Sequence, residues 1–397
     1  MSRDGYPSKS AMEIPDAEAL RRTIHRHLLG LGFSKNGDGY FIDGELSKQR
    51  IRDFHSVQRQ ENLADNRKFL EQYGHELAGY IATGRQLNPE AIDPELVEVV
   101  TGTFESRLFR FATLLWSVPV SRGFGRRMRF LVRDRQNGCV IGLFALGDPV
   151  FNLGARDNWI GWTHKDRSKR LVHVMDAYVV GALPPYSFLI GGKMVAALMA
   201  SQEVKKVYER KYLRRKAVIS KAEKRARLVL LTTTSALGRS SLYNRLAIPG
   251  GPKFLRIGTT KGFGHFHLSG QIFEGLRDYL TAINHPYASG YEFGMGPNWK
   301  IRVARTALEE LGIRADTILK HGIQREVYAV PLAKNYQEIL LGHHTNIRSI
   351  VPEASEIVDY SLHRWIIPRS TRDDRYKSFA PRTIVDALLS DGPGSKW

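Results

Sequence analysis

Two apolar segments on either side of an Asn-Gly step constrain the fold more than any other feature of the sequence. Residues 130–134 and 139–146 are rich in Val, Ile, Leu and Phe, and the four residues between them end in Asn137-Gly138. An Asn-Gly step accepts the positive φ angles of a tight turn whose twist suits two antiparallel strands. The sequence therefore predicts a β-hairpin at this position.

Further apolar runs predict that the hairpin belongs to a mixed α/β sheet. Strands are predicted over residues 171–180, 226–232 and 254–258, and a helix between the first two of these is predicted to run from residue 190 to about residue 216. Alternation of strands and helices is the pattern of an α/β (or α+β) domain. The order hairpin, strand, glycine turn, helix, strand, helix, strand is similar to the acyl-CoA acetyltransferase fold.

Charge is distributed unevenly along the chain. Residues 1–104 hold 13 Lys/Arg and 16 Asp/Glu, a formal net charge of −3, whereas the rest of the chain holds 46 and 24, a net charge of +22. The apolar spacing over residues 17–31 predicts a helix. We therefore predict three regions: an acidic and mainly helical region over residues 1–104, a mixed α/β core over 105–270, and an α/β extension over 271–397 that completes the fold. The first region is compatible with a winged-helix-like fold or with a helical bundle that docks on a partner.

Composition argues against a secreted or membrane protein. The single cysteine, Cys139, excludes a disulfide framework and a metal site built from several thiolates. A polar stretch follows Met1, and the most apolar span, residues 174–200, is interrupted by charged residues and prolines. A helix that crosses a bilayer needs about 18 or more uninterrupted apolar residues. We therefore expect a cytoplasmic protein without a membrane segment.

A pair of glycines, Gly191 and Gly192, is predicted to open the helix after the third strand. Unpaired backbone N–H groups and the helix dipole favour an anion at such a position, so both glycines are candidates for contact with the pyrophosphate of an acyl donor. Residues 187–190 lack the arginine or glutamine that the acetyltransferase fold has before its glycines. A tight turn without a ligand is the alternative, and the sequence predicts no cofactor.

Two tryptophans and an Arg-Asp pair lie close together in residues 156–162. Trp159 and Trp162 can stack on a base, while Arg156 binds a phosphate and Asp157 orients the guanidinium. The alternative is a loop in which the tryptophans cover the sheet edge and the Arg-Asp pair is a salt bridge.

A glycine-rich loop over residues 256–267 combines basic and histidine side chains. Its glycines allow close approach of a phosphate, Arg256 and Lys261 supply positive charge, and His267 can transfer a proton near neutral pH. The His265-x-His267 spacing also occurs in metal sites, but further ligands are not nearby in the sequence, so no metal is predicted.

The densest positive charge lies in residues 203–227, which hold 11 Lys/Arg and 3 Asp/Glu, a local net charge of +8. A solvated helix normally balances its charges, so this excess favours contact with nucleic acid or with an acidic partner. Contacts of this kind with the phosphate backbone release counterions and depend strongly on salt. The candidate phosphate contacts in the run are Lys205, Lys206, Arg210, Arg214 and Arg215.

Four of these segments resemble the DruA family. They are residues 130–135, 140–149, 156–162 and 256–267. The family is a component of the Druantia anti-phage defence system of bacteria, and related domains occur in transposase-like proteins. The resemblance implies antiviral defence in company with DruB, DruC, DruD and the helicase DruE, and it brings no established catalytic mechanism.

Three hypotheses follow for function, and one of them is an interaction scaffold whose acidic N-terminal helices dock a basic partner; the other two are more specific. The first is a defence protein that binds nucleic acid, DNA more than RNA, within a multi-protein complex. The second is an acyltransferase-like or nucleic-acid-modifying enzyme with Asp157, Lys261 and His267 as catalytic residues beside the Gly191-Gly192 turn. An enzyme of this kind requires those groups to converge on one pocket.

Overall fold

The computed structural model describes residues 16–42, 46–121, 123, 125–213, 226–268, 270–288 and 299–390. The chain forms two compact units. The first consists of residues 1–61 and 261–323, and the second of residues 62–260 and 324–397. The predicted boundaries at residues 104 and 270 follow composition and remain a prediction.

The described residues form strands and α-helices in both units. In chain order the strands are β1 (Phe33–Asn36), β2 (Gly39–Ile42), β3 (Pro94–Glu98), β4 (Arg127–Asp134), β5 (Val140–Gly147), β6 (Val174–Ala182), β7 (Leu230–Thr234), β8 (Leu255–Thr259) and β9 (Glu326–Pro331). The α-helices are α1 (Ala17–Gly30), α2 (Lys48–Phe54), α3 (Ser56–Asp65), α4 (Arg67–Ala78), α5 (Phe104–Thr113), α6 (Gly154–Ile160), α7 (His164–Arg170), α8 (Gly191–Leu198), α9 (Gln202–Tyr212), α10 (Gln271–Ala282), α11 (Trp299–Glu310), α12 (Ala315–Leu319), α13 (Tyr336–Leu341), α14 (Ala354–Ser361), α15 (Ile367–Ser370) and α16 (Ile384–Leu389). Among these residues no helix has the length and apolar character needed to cross a membrane.

A seven-stranded mixed sheet is the core of the second unit, in the order β3-β4-β5-β6-β7-β9-β8. β4 and β5 pair antiparallel around the Asn137-Gly138 turn, which confirms the predicted hairpin. Gly138 has a φ of 74°, the left-handed conformation that the turn requires of this position. The mixed α/β class is therefore confirmed.

β6 and β7 are the one parallel pair among the described strands of this sheet. Parallel neighbours need a long crossover, and α8 and α9 lie in it. The sequence predicts one helix from residue 190 to about residue 216, whereas the structure has two up to residue 213, and residues 214–216 lie outside the described residues. Ser201 separates them and caps α9 by accepting a hydrogen bond from the backbone N–H of Val204.

The edge strand β3 lies in the region predicted to be mainly helical. It pairs antiparallel with β4 and begins at Pro94. Proline lacks the N–H that a central strand needs, so its place at the edge of the sheet is the one expected. The Asp93-Pro94 break in the sequence therefore marks the start of a strand.

Helices cover both faces of the large sheet. On one face α8, α9 and α14 bury a core that includes Phe144, Met194 and Tyr208. On the other face α4, α5 and α16 cover the strands near the hairpin, while α6 and α13 cover β7 and β9. Burial of these apolar faces from water is the main stabilising contribution to such a three-layer arrangement.

The first unit combines helices with the small β1–β2 hairpin. α1 packs against β1 and α10, and α12 packs against β2. Asp16 caps α1 by accepting a hydrogen bond from the backbone N–H of Glu18 at 2.9 Å. The described strands and helices here are α1, β1, β2, α2, α10, α11 and α12, together with the start of α3. The winged-helix-like interpretation of the acidic region remains a prediction.

Arg126, just before β4, fastens three parts of the second unit together. Its Nε donates to Asp148 Oδ1 at 2.6 Å, and its two terminal nitrogens donate to the carbonyls of Val172 at 2.7 Å and Val174 at 2.9 Å. The hydroxyl of Tyr208, on α9, donates to the same Val172 carbonyl at 2.5 Å. The guanidinium is 15% exposed, so these partners replace the water that it has lost.

Replacing Arg126 by Met is expected to lower the free energy of unfolding by about 3 kcal/mol, because Asp148 Oδ1 and the Val174 carbonyl lose this donor, while the Val172 carbonyl keeps Tyr208. Urea denaturation followed by circular dichroism measures the change. The matched control is R135A, whose ion pair with Asp93 has side chains 57% and 56% exposed and is expected to contribute at most about 1 kcal/mol. Equal effects of the two substitutions would contradict the role given to Arg126.

Candidate nucleic-acid interface

The Arg156–Asp157 pair is a buried salt bridge at the start of α6. The Arg156 guanidinium is fully buried and donates to Asp157 Oδ1 at 2.7 Å and to the carbonyls of Val150 and Phe151 at 2.9 Å. Arg167 donates to the other Asp157 oxygen at 3.0 Å. Both residues would have to leave these partners to reach a phosphate or a substrate. Their predicted roles remain predictions.

The two tryptophans of this segment pack against α13. The Trp159 ring stacks on Tyr336 with centroids 5.2 Å apart and planes 9° from parallel. Trp162 is 7% exposed, and its indole N–H donates to the carbonyl of Leu340 at 2.7 Å. Trp159 is half-buried, so an edge of its ring is accessible, whereas Trp162 covers the sheet.

The Gly191-Gly192 turn opens α8, as predicted, and tight packing accounts for the first glycine. A Cβ on Gly191 would lie 2.8 Å from the carbonyl oxygen of Tyr186, closer than side chains approach. A Cβ on Gly192 would lie 3.2 Å from Leu242, a contact that the leucine can relieve. Contact of these glycines with an acyl donor remains a prediction.

Cations on α9 are paired with carboxylates from other parts of the second unit. Lys206 lies 3.5 Å from Glu353, and Glu98 binds both Arg210 and Lys211. The pKa of Glu98 is lowered, because hydrogen bonds from the two cations outweigh the effect of its burial. α9 with these partners is therefore close to neutral.

The remaining candidates of the basic run differ in what the structure says of them. Lys205 donates to Ser349 at 3.1 Å. Arg214 and Arg215 lie outside the described residues.

The glycine-rich loop is divided between the two units. Arg256, on β8 of the second unit, forms a salt bridge of 2.9 Å with Glu326 and is 56% exposed. Lys261 is exposed and belongs to the first unit. Among the described residues Arg256 is paired with a carboxylate, whereas no carboxylate lies within 4.0 Å of Lys261.

His267 lies in a buried cluster of aromatic rings in the first unit. Its ring stacks on Phe33 with centroids 5.5 Å apart, and the ring of His321 lies 5.8 Å away. The side chain is 2% exposed, and neither ring nitrogen has a hydrogen-bond partner of good geometry within the described residues. The backbone of Ile318 is close enough to raise the pKa of the ring slightly, against the effect of burial. Burial, reinforced by the histidines around it, lowers the pKa of His267 to about 3. The ring is therefore neutral, and a weak base, at pH 7.

The predicted catalytic residues come from different units. Asp157 belongs to the second unit, while Lys261 and His267 belong to the first. Among the described residues no group of three or more His, Cys, Asp or Glu side chains is arranged to hold a metal ion. A catalytic role for the three residues stays a prediction.

Cations that the sequence analysis did not select gather around α7. Lys165 and Lys169 are exposed on this helix, and Arg170 lies against Gly342, where an added Cβ would fall 1.7 Å from its guanidinium. Arg227, the last residue of the basic run, donates to the carbonyl of Thr345 in the adjacent segment at 2.7 Å. We call Lys165, Lys169, Arg170, Arg227 and residues 343–348 the α7 face.

The half-buried ring of His173 lies beside the cations of this face. Its Nδ1 lies 3.1 Å from the carbonyl oxygen of Arg227. The pKa of His173 is lowered to about 4, mainly by burial; the hydrogen bond to the Arg227 carbonyl opposes this shift, and the positive charges of Arg170, Arg126 and Arg227 add to it. The signal that could have identified this face is the sequence of α7, whose last turn holds three of its four Lys/Arg.

Acid pH is expected to destabilise the protein through His267. The folded pKa lies near 3 and the unfolded pKa near 6.5, so between these values the unfolded chain binds the extra proton and stability falls as the pH falls. At pH 5 this residue alone should cost about 2 kcal/mol relative to pH 8. Urea titrations of wild type and H267L at the two pH values measure the difference, which the variant should reduce. An unchanged difference in H267L would contradict the assignment.

Comparison with known proteins agrees with the resemblance drawn from the sequence. The family model described as Druantia protein DruA matches residues 45–342. The chain is 45% identical over 373 residues to the Druantia protein DruA of Escherichia coli (strain UMEA 4076-1). This alignment covers 94% of the chain and 92% of that protein. No solved structure matches the chain. On the extent of both matches, the chain belongs to the DruA family of the Druantia anti-phage defence system.

Proposed function

We propose that this defence protein binds nucleic acid, and that the α7 face is its principal contact with the phosphate backbone. One observation carries the proposal. Arg227, the end of the basic run, and Arg170, in the last turn of α7, both act on His173, and that turn holds three Lys/Arg. Two separate excesses of positive charge thus share one surface. A polyanion is the partner that such a surface fits.

The balance of charge on the α7 face supports this partner. Lys165, Lys169, Arg170 and Arg227 have no carboxylate within 4.0 Å among the described residues. Asp166 is engaged in capping α7 through the backbone and side chain of Thr163. The cations therefore keep their charge available for phosphate oxygens, whereas those of α9 are already neutralised.

The basic run holds further candidate cations in the part of the sequence that precedes Arg227. Residues 214–225 hold six Lys/Arg and one Glu and lie outside the described residues. In the sequence a single residue, Ala226, separates them from Arg227. Arg214 and Arg215 remain candidate phosphate contacts, and Lys205, Lys206 and Arg210 are expected to contribute less because carboxylates or Ser349 already bind them.

DNA is the proposed nucleic acid, because every infection by a DNA phage brings DNA into the cell as a target for anti-phage defence. Association with the other Druantia proteins, DruB, DruC, DruD and the helicase DruE, belongs to the same proposal. The acidic residues 1–104 are the part of the chain proposed to contact a protein partner. The proposal includes a location in the cytoplasm.

A second candidate, an enzyme with an acetyltransferase-like arrangement, is favoured by one carboxyl group. Asp176 of β6 accepts a hydrogen bond from the Thr232 hydroxyl of β7 at 2.6 Å, near the point where pairing of the parallel strands ends. Burial raises the pKa of Asp176 to about 6, so the group can exchange a proton near neutral pH. Calorimetric titration with coenzyme A tests this candidate, and absence of binding would remove its support.

Removing the two exposed lysines of α7 is expected to weaken DNA binding and its dependence on salt. Each lost phosphate contact lowers the slope of log affinity against log salt by about 0.9 for duplex DNA, so K165A/K169A should lower it by about 1.8. Fluorescence anisotropy with a labelled duplex over a series of salt concentrations measures the slope. R214A/R215A should act in the same direction.

The matched control is K206A/R210A, which removes the same charge from α9. Because Glu353 and Glu98 neutralise these two cations, their loss should change the slope by much less. A smaller effect of K165A/K169A than of K206A/R210A would refute the α7 face and return the contact to α9.

A further inference from the structure

A second cationic surface lies at the opposite side of the sheet, where the C-terminal helices pack on α8. It consists of Phe188, Lys193 and residues 360–382, and we call it the C-terminal surface. Its centre is a π-helix, Leu362–Ile366, between α14 and α15. Pro368 has no N–H to donate to the carbonyl of Arg364, and the wider turn, closed by a bond from Ile367 N–H to Leu362, accommodates it.

The π-helix presents an aromatic ring and a guanidinium side by side. Arg364 is exposed, and Trp365 is half-buried with Tyr360 at 5.3 Å between ring centroids. The ammonium group of Lys193, in the first turn of α8, lies 5.7 Å from the centre of the Trp365 ring. The pKa of Lys193 is lowered by burial and by Arg364, which marks the positive potential at this point.

A second pairing of a cation with a ring lies on the same surface. The Arg375 guanidinium lies 5.5 Å from the centre of the half-buried Phe188 ring, whose edge faces Phe379 at 6.2 Å. Arg369 donates to the carbonyl of Phe188 at 3.4 Å and holds this segment against α15. Each of these two half-buried rings thus has a cation near its centre.

Carboxylates balance part of the charge of the C-terminal surface. Residues 362–382 hold six Lys/Arg and two Asp. Asp373 binds Arg369 at 2.5 Å and Arg375 at 2.6 Å, and Asp374 binds Lys377 at 2.6 Å. Within the described chain the remaining cations have no carboxylate within salt-bridge distance; they are Lys193, Arg364, Arg372 and Arg382.

We propose that the C-terminal surface binds a single strand of nucleic acid, with phosphates on Arg364, Arg372 and Lys193 and bases against Trp365 and Phe188. The inference rests on the proposed function, because it assumes that nucleic acid is the partner of this protein. Aromatic rings between cations distinguish this surface from the α7 face. A duplex hides its bases in the stack, whereas a single strand offers them to rings and guanidinium planes.

The test compares variants that keep the packing of the surface intact. R364A/R372A removes two exposed cations, and W365F keeps an apolar ring in place of a half-buried indole. The matched control, K68A/R85A, removes two exposed cations from α4 and the segment that follows it. Anisotropy titrations of the full chain use a labelled oligo(dT) strand and a labelled duplex. R364A/R372A should weaken binding of the strand roughly 25-fold at 0.1 M salt and lower its salt slope by about 1.4, with a small effect on the duplex.

Each outcome decides between the two surfaces. If R364A/R372A binds the strand as the control does while K165A/K169A loses affinity, the inference is overturned and the proposed function stands. If R364A/R372A and W365F lose the strand while K165A/K169A binds the duplex normally, the inference stands and the α7 face is wrong. A wild-type chain that binds neither probe overturns both, and loss of assembly with Druantia proteins in R364A/R372A would then assign the surface to an acidic protein partner.

Discussion

The parallel pairing of β6 with β7 is the constraint on which the arrangement of charge depends. Parallel strands start at the same end of a sheet, so the chain that leads into β7 must return to where β6 begins. Val229 therefore donates to the carbonyl of His173 at 3.0 Å, and Arg227 reaches the same residue. This topology places Arg227, the last cation before β7, beside His173, three residues after the end of α7 and just before β6.

Long-range ion pairs then decide which cations stay available to a partner. Glu98 reaches α9 from the edge strand β3, and Glu353 reaches it from the start of α14, so the helix with the most obvious charge excess in the sequence is largely neutralised. Arg126 is likewise bound within the protein, by Asp148 and by carbonyls at the start of β6. Exposed ion pairs contribute little to stability, but they lower the electrostatic attraction that a phosphate backbone meets.

Local signals in the sequence sufficed for the hairpin, since Asn137-Gly138 and its flanking strands lie within a few residues of one another. The break between α8 and α9 was not predictable in this way, because Gln202 donates to the carbonyl of Pro352, about 150 residues away, where the chain turns. The burial of Arg156 and Asp157 was equally hidden, since a neighbouring Arg-Asp pair has the same sequence on a surface as in a core. For residues 156–162 the second interpretation, a salt bridge and a tryptophan that covers the sheet, matches the structure. The carboxylates that neutralise α9 come from remote segments, which no local pattern reveals.

The two cationic surfaces differ in position and in chemistry, and the two proposals taken together name a branched nucleic acid as the ligand. α7 contacts α13 on one face of the sheet, whereas Lys193 and the π-helix lie with α8 on the other. A straight duplex that follows one face cannot cover the second. Lysines act as point charges that suit a regular backbone, while rings beside guanidinium groups suit unstacked bases. Under the two proposals, a junction between duplex and single strand is the ligand that fits both surfaces at once.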